Sequence, residues 1–386
     1  MGLGFEFATA GRIVFGSGRS RDIGALVSGF GRQVLWVTGS SDRQAGWLGP
    51  QLEAAGLVVT RLAVAGEPTV QLVESAAAVA RSTGCEVVLG IGGGSVLDTA
   101  KAIAALAVQP ADAFSYLEVI GRGRPLDRPA LPCIAVPTTA GTGAEVTKNA
   151  VLGSPEHRVK VSLRHPSLLP RVAVVDPELT VSLGPQVTAA TGLDALTQLI
   201  EPFVSPRANP LTDGFCREGL RHIRAALPSV LHDPHDLVAR EGMSLASLLG
   251  GLALANAGLG AVHGFAGPLG GMFPAPHGSL CGILLPPVME ANIRSLMRGS
   301  GPAASLDRYT ELARLLTDQP DAEPAAGAAW VRSLVESAGI PRLAAWGITP
   351  GDIPGIVSKA LQASSMKANP VLLSDGELGE ILAAVL

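Results

Sequence analysis

What most limits the fold of this chain is a rhythm in its first half: short continuous β-branched runs, each followed by a Gly- or Pro-containing turn and a longer Ala/Leu-rich stretch. The runs are Val34–Val37, Val58–Val64, Val87–Ile91, Ile134–Val136 and Val172–Val175. Taken as continuous apolar runs, they predict strands buried on both faces, as in a parallel sheet. Helical patterns over Ser75–Ser82 and Leu97–Ala107 supply crossovers. Such βαβ units predict an open, mostly parallel sheet whose ligand crevice lies at the carboxyl ends of its strands.

From about Pro177 the strand-like runs stop and helical patterns take over, with breaks expected at Pro206, Pro210, Pro234, Pro268, Pro276, Pro286 and Pro287. A chain of 386 residues is longer than one typical core. The composition shift therefore predicts two domains: an α/β domain over 1–180 and a helical domain over 181–386. Between Gly242 and Met289 there are 48 residues without Asp, Glu, Lys or Arg. Gly, Asn256, two His and five Pro interrupt this stretch, so it predicts a buried central helix and loop rather than a membrane span.

Net charge is −4 with the two signs interspersed. No basic stripe offers itself to nucleic acid or to an anionic membrane, and a small-molecule partner is expected. Cys85, Cys133, Cys216 and Cys281 show no paired spacing, and the start lacks the basic-then-apolar build of a signal peptide. Free thiols in a reducing cytoplasm are expected.

The segment Val87-Val88-Leu89-Gly90-Ile91-Gly92-Gly93-Gly94-Ser95 sets three consecutive glycines between a strand and a helix. Glycine lets backbone amides approach an anion, and the helix start adds free N–H groups and a positive dipole end. Taken alone, the triplet is equally a tight strand-to-helix turn. Asp98 and Lys101 follow at helical spacing, and Thr138-Thr139 with Gly141-Thr142-Gly143 end a second strand with hydroxyl donors.

These motifs resemble the iron-containing (group III) alcohol dehydrogenases. The matching residues are Gly92-Gly93-Gly94-Ser95 with Asp98-x-x-Lys101, then Pro137-Thr138-Thr139-x-Gly141-Thr142-Gly143-x-Glu145. The likeness runs nearly end to end, through Ile13-Val14-Phe15-Gly16-x-Gly18, Asp176-Pro177-Glu178-Leu179-Thr180, Gly192-x-Asp194-Ala195-Leu196, Glu201 and Asn369-Pro370. It implies a Rossmann-like parallel-sheet domain plus a helical domain, the architecture shared with dehydroquinate synthase. It also implies NAD(P), a divalent metal in the cleft and a homodimer.

Carried over by position, the resemblance places the pyrophosphate on Gly93, Gly94 and Ser95, with Asp98 near the nicotinamide. Thr138, Thr139 and Thr142 fall beside the adenosine and phosphates, and Lys160 in the cofactor cleft, although Lys160 by itself reads equally as a surface lysine. At the end of the first strand, Gly39, Ser40 and Ser41 stand where many NAD-using relatives carry an acidic residue. Without a carboxylate to hold the ribose hydroxyls, the position leaves room for a 2′-phosphate, which favours NADP(H), with NAD(H) the alternative.

The metal set departs from the family's. Asp194, His263 and His277 match ligands, but Gln198 stands where a His is usual and Gly267 where a proton-relay His is usual. One carboxylate and two imidazoles still suit Fe(II) or Zn(II), with Gln198 a weak possible oxygen ligand. Without the metal, His263 and His277 become hydrogen-bond donors or general acids toward a carbonyl oxygen. The catalytic set is therefore Asp98, His263 and His277, and the expected activity is hydride transfer between a nicotinamide and an alcohol or aldehyde.

Three alternatives stay open at this point. Maleylacetate reductase-like chemistry would want cations for two carboxylates, with Arg164, Arg207 and Lys367 as candidates; a dehydroquinate synthase-like lyase is disfavoured by the Asp98 and Pro137-Thr138-Thr139 motifs; the third is a nucleotide-binding protein whose metal site has decayed. His157, His165, His222, His232 and His235, in charged or Pro-flanked stretches, read as surface residues.

Overall fold

The computed structural model describes residues 4–41, 45–157 and 159–386. It divides into an α/β unit, Ala8–Thr139 with Gly143–Ser182, and a helical unit, Leu183–Leu386 with Ala140–Thr142 and the described residues up to Phe7.

In the α/β unit six parallel strands form one sheet: β1 (Ile13–Phe15), β2 (Gln33–Gly39), β3 (Val58–Val64), β4 (Val87–Gly92), β5 (Cys133–Pro137) and, after a hairpin, β8 (Val172–Val175), in the order β1-β8-β5-β4-β2-β3. The hairpin is β6 (Asn149–Ser154) with β7 (Val159–Arg164), antiparallel. Helices α1 (Ile23–Ser28) and α2 (Ala45–Ala54) cover one face, where Ile23, Val27, Leu48 and Leu52 pack on Trp36, Leu89 and Ile134. Helices α3 (Val70–Ser82) and α4 (Gly94–Leu106) cover the other, with Val73, Ala77, Ala100 and Ile103 against Leu35, Val37 and Val88. The chain runs from β2 outward to β3 and returns on the other side of β2 to β4, so the topological switch lies between β2 and β4. Open α/β sheets bind ligands at the carboxyl ends of the strands at such a switch, and Gly39 and Gly93 stand there.

All five expected strands form. The structure differs in that Val58–Val64 is the sheet edge, with only Val64 buried along it, rather than a strand covered on both faces. Helix α3 begins at Val70 rather than Ser75 because the Thr69 hydroxyl caps it, accepting from the Leu72 amide at 3.1 Å.

The helical unit comprises α5 (Pro185–Val204), α6 (Pro210–His232), α7 (Leu237–Ala257), α8 (Ala261–Met272), α9 (His277–Met297), α10 (Ala303–Thr317), α11 (Pro324–Ser337), α12 (Ile353–Gln362) and α13 (Asp375–Ala384). Helix α5 is central, packed by α6, α7 and α9 and buried from Gly192 to Val204. The uncharged Gly242–Met289 stretch is most of α7, all of α8 and the start of α9. By length and composition α7 is apolar enough to cross a membrane, but it packs between α5 and α6, and 67% of its apolar window is buried there. Pro210 starts α6 and Pro276 caps α9, as breaks should. Pro268, Pro286 and Pro287 instead lie inside helices, where burial on the flanking helices outweighs the lost N–H bond.

Candidate active site

On the α/β unit, the glycines between β4 and α4 are required by close approach. A Cβ on Gly90 would stand 2.7 Å from the Ala100 Cβ, and one on Gly92 would stand 2.6 Å from the Val96 Cβ. Helix α4 therefore lies almost on its own strand, with its N-terminal amides at the strand end. The Thr138 amide donates to the Gly92 carbonyl at 2.9 Å, and a Cβ on Gly93 would come within 3.3 Å of the Thr139 methyl. Gly93, Gly94, Ser95, Thr138 and Thr139 thus share one strand-end cradle. Gly39 ends the neighbouring β2, followed by Ser40, and a Cβ there would meet nothing within 4 Å. Thr142 falls in the helical unit.

Asp98 and Lys101 have a bracing role in this structure. The fully buried Lys101 ammonium donates to the Ala144 carbonyl (2.9 Å), the Thr147 hydroxyl (3.0 Å) and the Asn149 carbonyl (2.5 Å), and pairs with Asp98 at 2.9 Å. Asp98 also accepts the Val151 amide at 2.9 Å. The pair thereby ties α4 to the short turn Ala144–Val146 and to β6. Lys160, on β7, pairs with Glu67 at 2.7 Å, and Arg164 pairs with Glu118 at 3.2 Å.

Glu145, in that turn, is buried, and burial pushes its carboxyl up to about 7 against the pull of its own backbone amide and of Lys101. A carboxyl with a raised folded pKa binds its proton more tightly folded than unfolded. Its ionisation therefore costs stability progressively from the unfolded pKa of about 4.5 up to about 7, and that cost persists above. Glu145→Gln is expected to gain about 3 kcal/mol at pH ~8 and almost nothing at pH ~4.5. Denaturant melts at the two pH values check this; parallel profiles for the two proteins would show that Glu145 does not titrate in that window.

In the helical unit, four donor atoms converge. The His263 Nε2 lies 3.4 Å from the Asp194 Oδ1, and the His277 Nε2 lies 3.8 Å from it. The Cys281 Sγ is 3.7 Å from each imidazole Nε2, and all four atoms lie within 4.8 Å of one another. Asp194 is buried, and its Oδ1 makes no hydrogen bond.

The approach of three helices explains this convergence. Glycines at 278 and 282, one turn apart, let α9 close on α5: added Cβ atoms would stand 2.2 Å from the Ala190 carbonyl and 2.6 Å from the Leu193 side chain. His277 and Cys281, the residue before each glycine, are thereby carried to Asp194. Glu201, two turns after Asp194 on α5, accepts the Val262 amide at the start of α8 (2.7 Å) and pairs with the His263 Nδ1 (2.6 Å). Gly260 leaves room for that carboxylate, since a Cβ there would meet its Oε1 at 2.9 Å. A carboxylate on Nδ1 fixes the ring so that Nε2 faces Asp194 and Cys281.

The cluster attracts positive charge. Burial opposes ionisation of His263, yet Cys281, Glu201 and Asp194 together raise it well above the ordinary imidazole range. Burial likewise opposes ionisation of Asp194, and the two imidazoles outweigh it and hold the carboxyl below its ordinary value. Burial pushes the Cys281 thiol up to about 12.

Gln198 sits one turn after Asp194; its Cβ lies against Gly250 of α7, and its amide oxygen has no hydrogen bond. Around Gly267 a side chain would meet nothing within 4 Å, so the relay position opens onto free space. Sequence reasoning passed over Glu201 as a site group and took Cys281 as an ordinary free thiol. The signals for both were spacings: Glu201 seven residues after Asp194, and Cys281 four after His277, each on one helix face. Of the other histidines, His157, His232 and His235 are exposed and His165 and His222 half-buried.

An orphaned buried carboxylate oxygen, two imidazoles and a thiol suit a divalent cation by donor chemistry.

Comparison with known proteins places this arrangement. The family profile described as iron-containing alcohol dehydrogenase matches residues 10–177, and the C-terminal profile of the same family matches residues 188–386. A probable alcohol dehydrogenase, EutG, of Salmonella typhimurium is 37% identical over 319 residues, 83% of this chain and 78% of that protein. The NAD-dependent methanol dehydrogenase of Bacillus methanolicus is 30% identical over 381 residues, 96% of each chain. The crystal structure of a 1,3-propanediol oxidoreductase superposes with a TM-score of 0.91 at 30% identity, covering 100% of both chains. The chain belongs to the iron-containing alcohol dehydrogenase family and is an oxidoreductase.

Proposed function

We propose that this oxidoreductase interconverts an alcohol and its aldehyde with NADP(H) in preference to NAD(H), at a site where Asp194, His263 and His277 hold a divalent cation. The observation that carries the proposal is the buried Asp194 Oδ1, which makes no hydrogen bond and faces two imidazole Nε2 atoms. When bound, the cation supplies Lewis acidity toward the substrate oxygen and the nicotinamide supplies the carbon that gives or takes hydride.

The chain's own contribution is placement. Glu201 pairs with the Nδ1 of His263 and so keeps its Nε2 turned inward. His277, with 35% of its side chain exposed, is the part of the cluster open to solvent. Gly93, Gly94, Ser95, Thr138 and Thr139 offer backbone amides and hydroxyls to a pyrophosphate, with Gly39 and Ser40 beside the ribose. Asp98 acts as a positioning residue, through Lys101 and the Val151 amide.

The test is NADPH and NADH oxidation with a panel of aldehydes and with maleylacetate, after metal removal and after adding back Fe(II) or Zn(II). Metal-stimulated aldehyde reduction is expected. Chelator-insensitive turnover of maleylacetate would overturn the proposal, and so would cofactor binding without any turnover. Cofactor choice has its own expected outcome. Because the Gly39 position is open, Gly39→Asp should fold normally and lower kcat/KM for NADPH relative to NADH by about 10-fold or more, the factor that ~1.4 kcal/mol of carboxylate–phosphate repulsion produces. An unchanged ratio would mean the 2′-phosphate is bound elsewhere.

A further inference from the structure

We propose that Cys281 is a fourth protein ligand of the metal site, supplying from α9 the donor that Gln198 does not supply from α5, and that its thiolate makes the site select Zn(II) over Fe(II). This rests on the assignment of Asp194, His263 and His277 as ligands, and it goes beyond it in naming both the donor and the metal.

The first argument is geometric. A tetrahedral site with bonds of about 2.0 Å to nitrogen and oxygen and 2.3 Å to sulfur has edges of about 3.3 Å between nitrogen or oxygen donors and about 3.5 Å from these to sulfur. Four of the six edges are 3.4 Å (His263 to Asp194), 3.8 Å (His277 to Asp194) and 3.7 Å from Cys281 to each imidazole, and all six lie within 4.8 Å. Those four edges are within about half an ångström of what such a site needs, so small side-chain shifts would close the four donors on one ion.

The second argument concerns hydrogen bonding. With Nδ1 of His263 hydrogen-bonded to Glu201, Nε2 is the ring atom that faces the cluster. It stands 3.4 Å from the Asp194 Oδ1, an atom that makes no hydrogen bond. Cys281 is wholly buried and carries a single proton, yet its sulfur faces two imidazole nitrogens at the same distance. One cation in their midst would take a donor atom from each of the four side chains, and its coordination would release the thiol proton to solvent.

The third argument is donor softness. Two imidazoles and a carboxylate alone form the facial set used by non-haem Fe(II), whereas a thiolate added to them shifts the preference to Zn(II). Gln198 offers only a neutral amide oxygen, the weakest donor of the set. With four protein donors, a substrate oxygen would enter as a fifth ligand, an expansion known for catalytic zinc.

Four measurements on the intact chain test this. In the Co(II)-substituted enzyme a near-ultraviolet sulfur-to-cobalt charge-transfer band is expected, lost in Cys281→Ser and kept in Cys216→Ser. X-ray absorption of the Zn(II) form should show one sulfur at about 2.3 Å among nitrogen and oxygen neighbours at about 2.0–2.1 Å. Cys281→Ser should weaken Zn(II) binding about 100-fold, the upper end of the effect of losing even an outer-shell partner. In competition, Cys281→Asn combined with Gln198→His should move the metal preference toward Fe(II).

A purely nitrogen and oxygen shell that vanishes in Asp194→Ala would overturn the role of Cys281 and leave the three-ligand site standing. Failure of the wild-type protein to bind Co(II) or Zn(II) would overturn both. The wild-type spectra decide the matter even where a variant folds poorly.

Discussion

Replacing Asp194 by Asn should cost the enzyme its bound metal and lower kcat/KM for aldehyde reduction by about 1,000-fold or more, while leaving the fold in place. The magnitude follows from what the site provides. Lewis-acid stabilisation of developing charge is worth several kcal/mol, and ~4 kcal/mol corresponds to about three decades of rate. The fold should survive because the amide keeps the side chain's shape and breaks no hydrogen bond of the Asp194 Oδ1. His263 remains held by Glu201. Asn keeps the shape and loses the charge, which separates a ligand effect from a cavity effect. Metal content by elemental analysis, kcat/KM and a thermal melt are read together. A variant that keeps its metal and stays within tenfold of the wild-type rate would show that Asp194 is not the anionic ligand, and one that unfolds would show that its carboxylate is structural.

How much of this was legible before the structure depends on the range of the forces involved. The five parallel strands announced themselves because burial on a sheet demands runs of β-branched residues, a local signal. Hairpin β6–β7 was equally open to view, since Val159-Lys160-Val161-Ser162-Leu163-Arg164 alternates strictly, but a pattern tuned to continuous runs passed over it. Strand β1 has only three residues and no signal of its own. Its loop is held from far away: the buried Asp176 carboxylate accepts the amides of Gly18 (3.1 Å) and Ser20 (2.8 Å), with Gly18 at a φ of 76° that disfavours other residues.

The proposed metal ligands were legible as a resemblance, because Asp194, His263 and His277 stand where the family carries its ligands. For Cys281 and Glu201 the sequence offered only a shared helix face with His277 and Asp194, and their importance arises from which helices touch. Gly278 and Gly282 bring α9 against α5, and Gly260 brings the head of α8 to Glu201. Those contacts link residues 60 to 90 positions apart, and no local periodicity encodes them. The Asp98-x-x-Lys101 motif shows the opposite case: it was conspicuous in the sequence, but its side chains turn into the α/β unit to brace a turn and a hairpin.

That brace carries the second large prediction. Lys101→Met should destabilise the α/β unit by about 3–5 kcal/mol, the cost typical of removing one partner of a buried ion pair. The ammonium is fully buried and is the common partner of four oxygens, those of Asp98, Ala144, Thr147 and Asn149. Methionine fills most of the volume, so the loss is electrostatic: Asp98 retains the Val151 amide but loses its cation, and buried carbonyls lose their donor. Lys101 is also the cation that draws Glu145 toward ionisation, so its removal should push that carboxyl higher and keep it protonated further above neutral pH. Cofactor affinity should fall with stability, because the braced turn follows closely on Thr138 and Thr139. Lys101→Arg should not rescue, since its larger planar fork cannot occupy a site shaped for a compact point charge. Denaturant melts and NADPH titrations of the Met and Arg variants measure the effect. A Met variant within about 1 kcal/mol of wild type would mean that the desolvation of the ammonium cancels its four contacts, as it does where buried ion pairs can be replaced by apolar residues without loss.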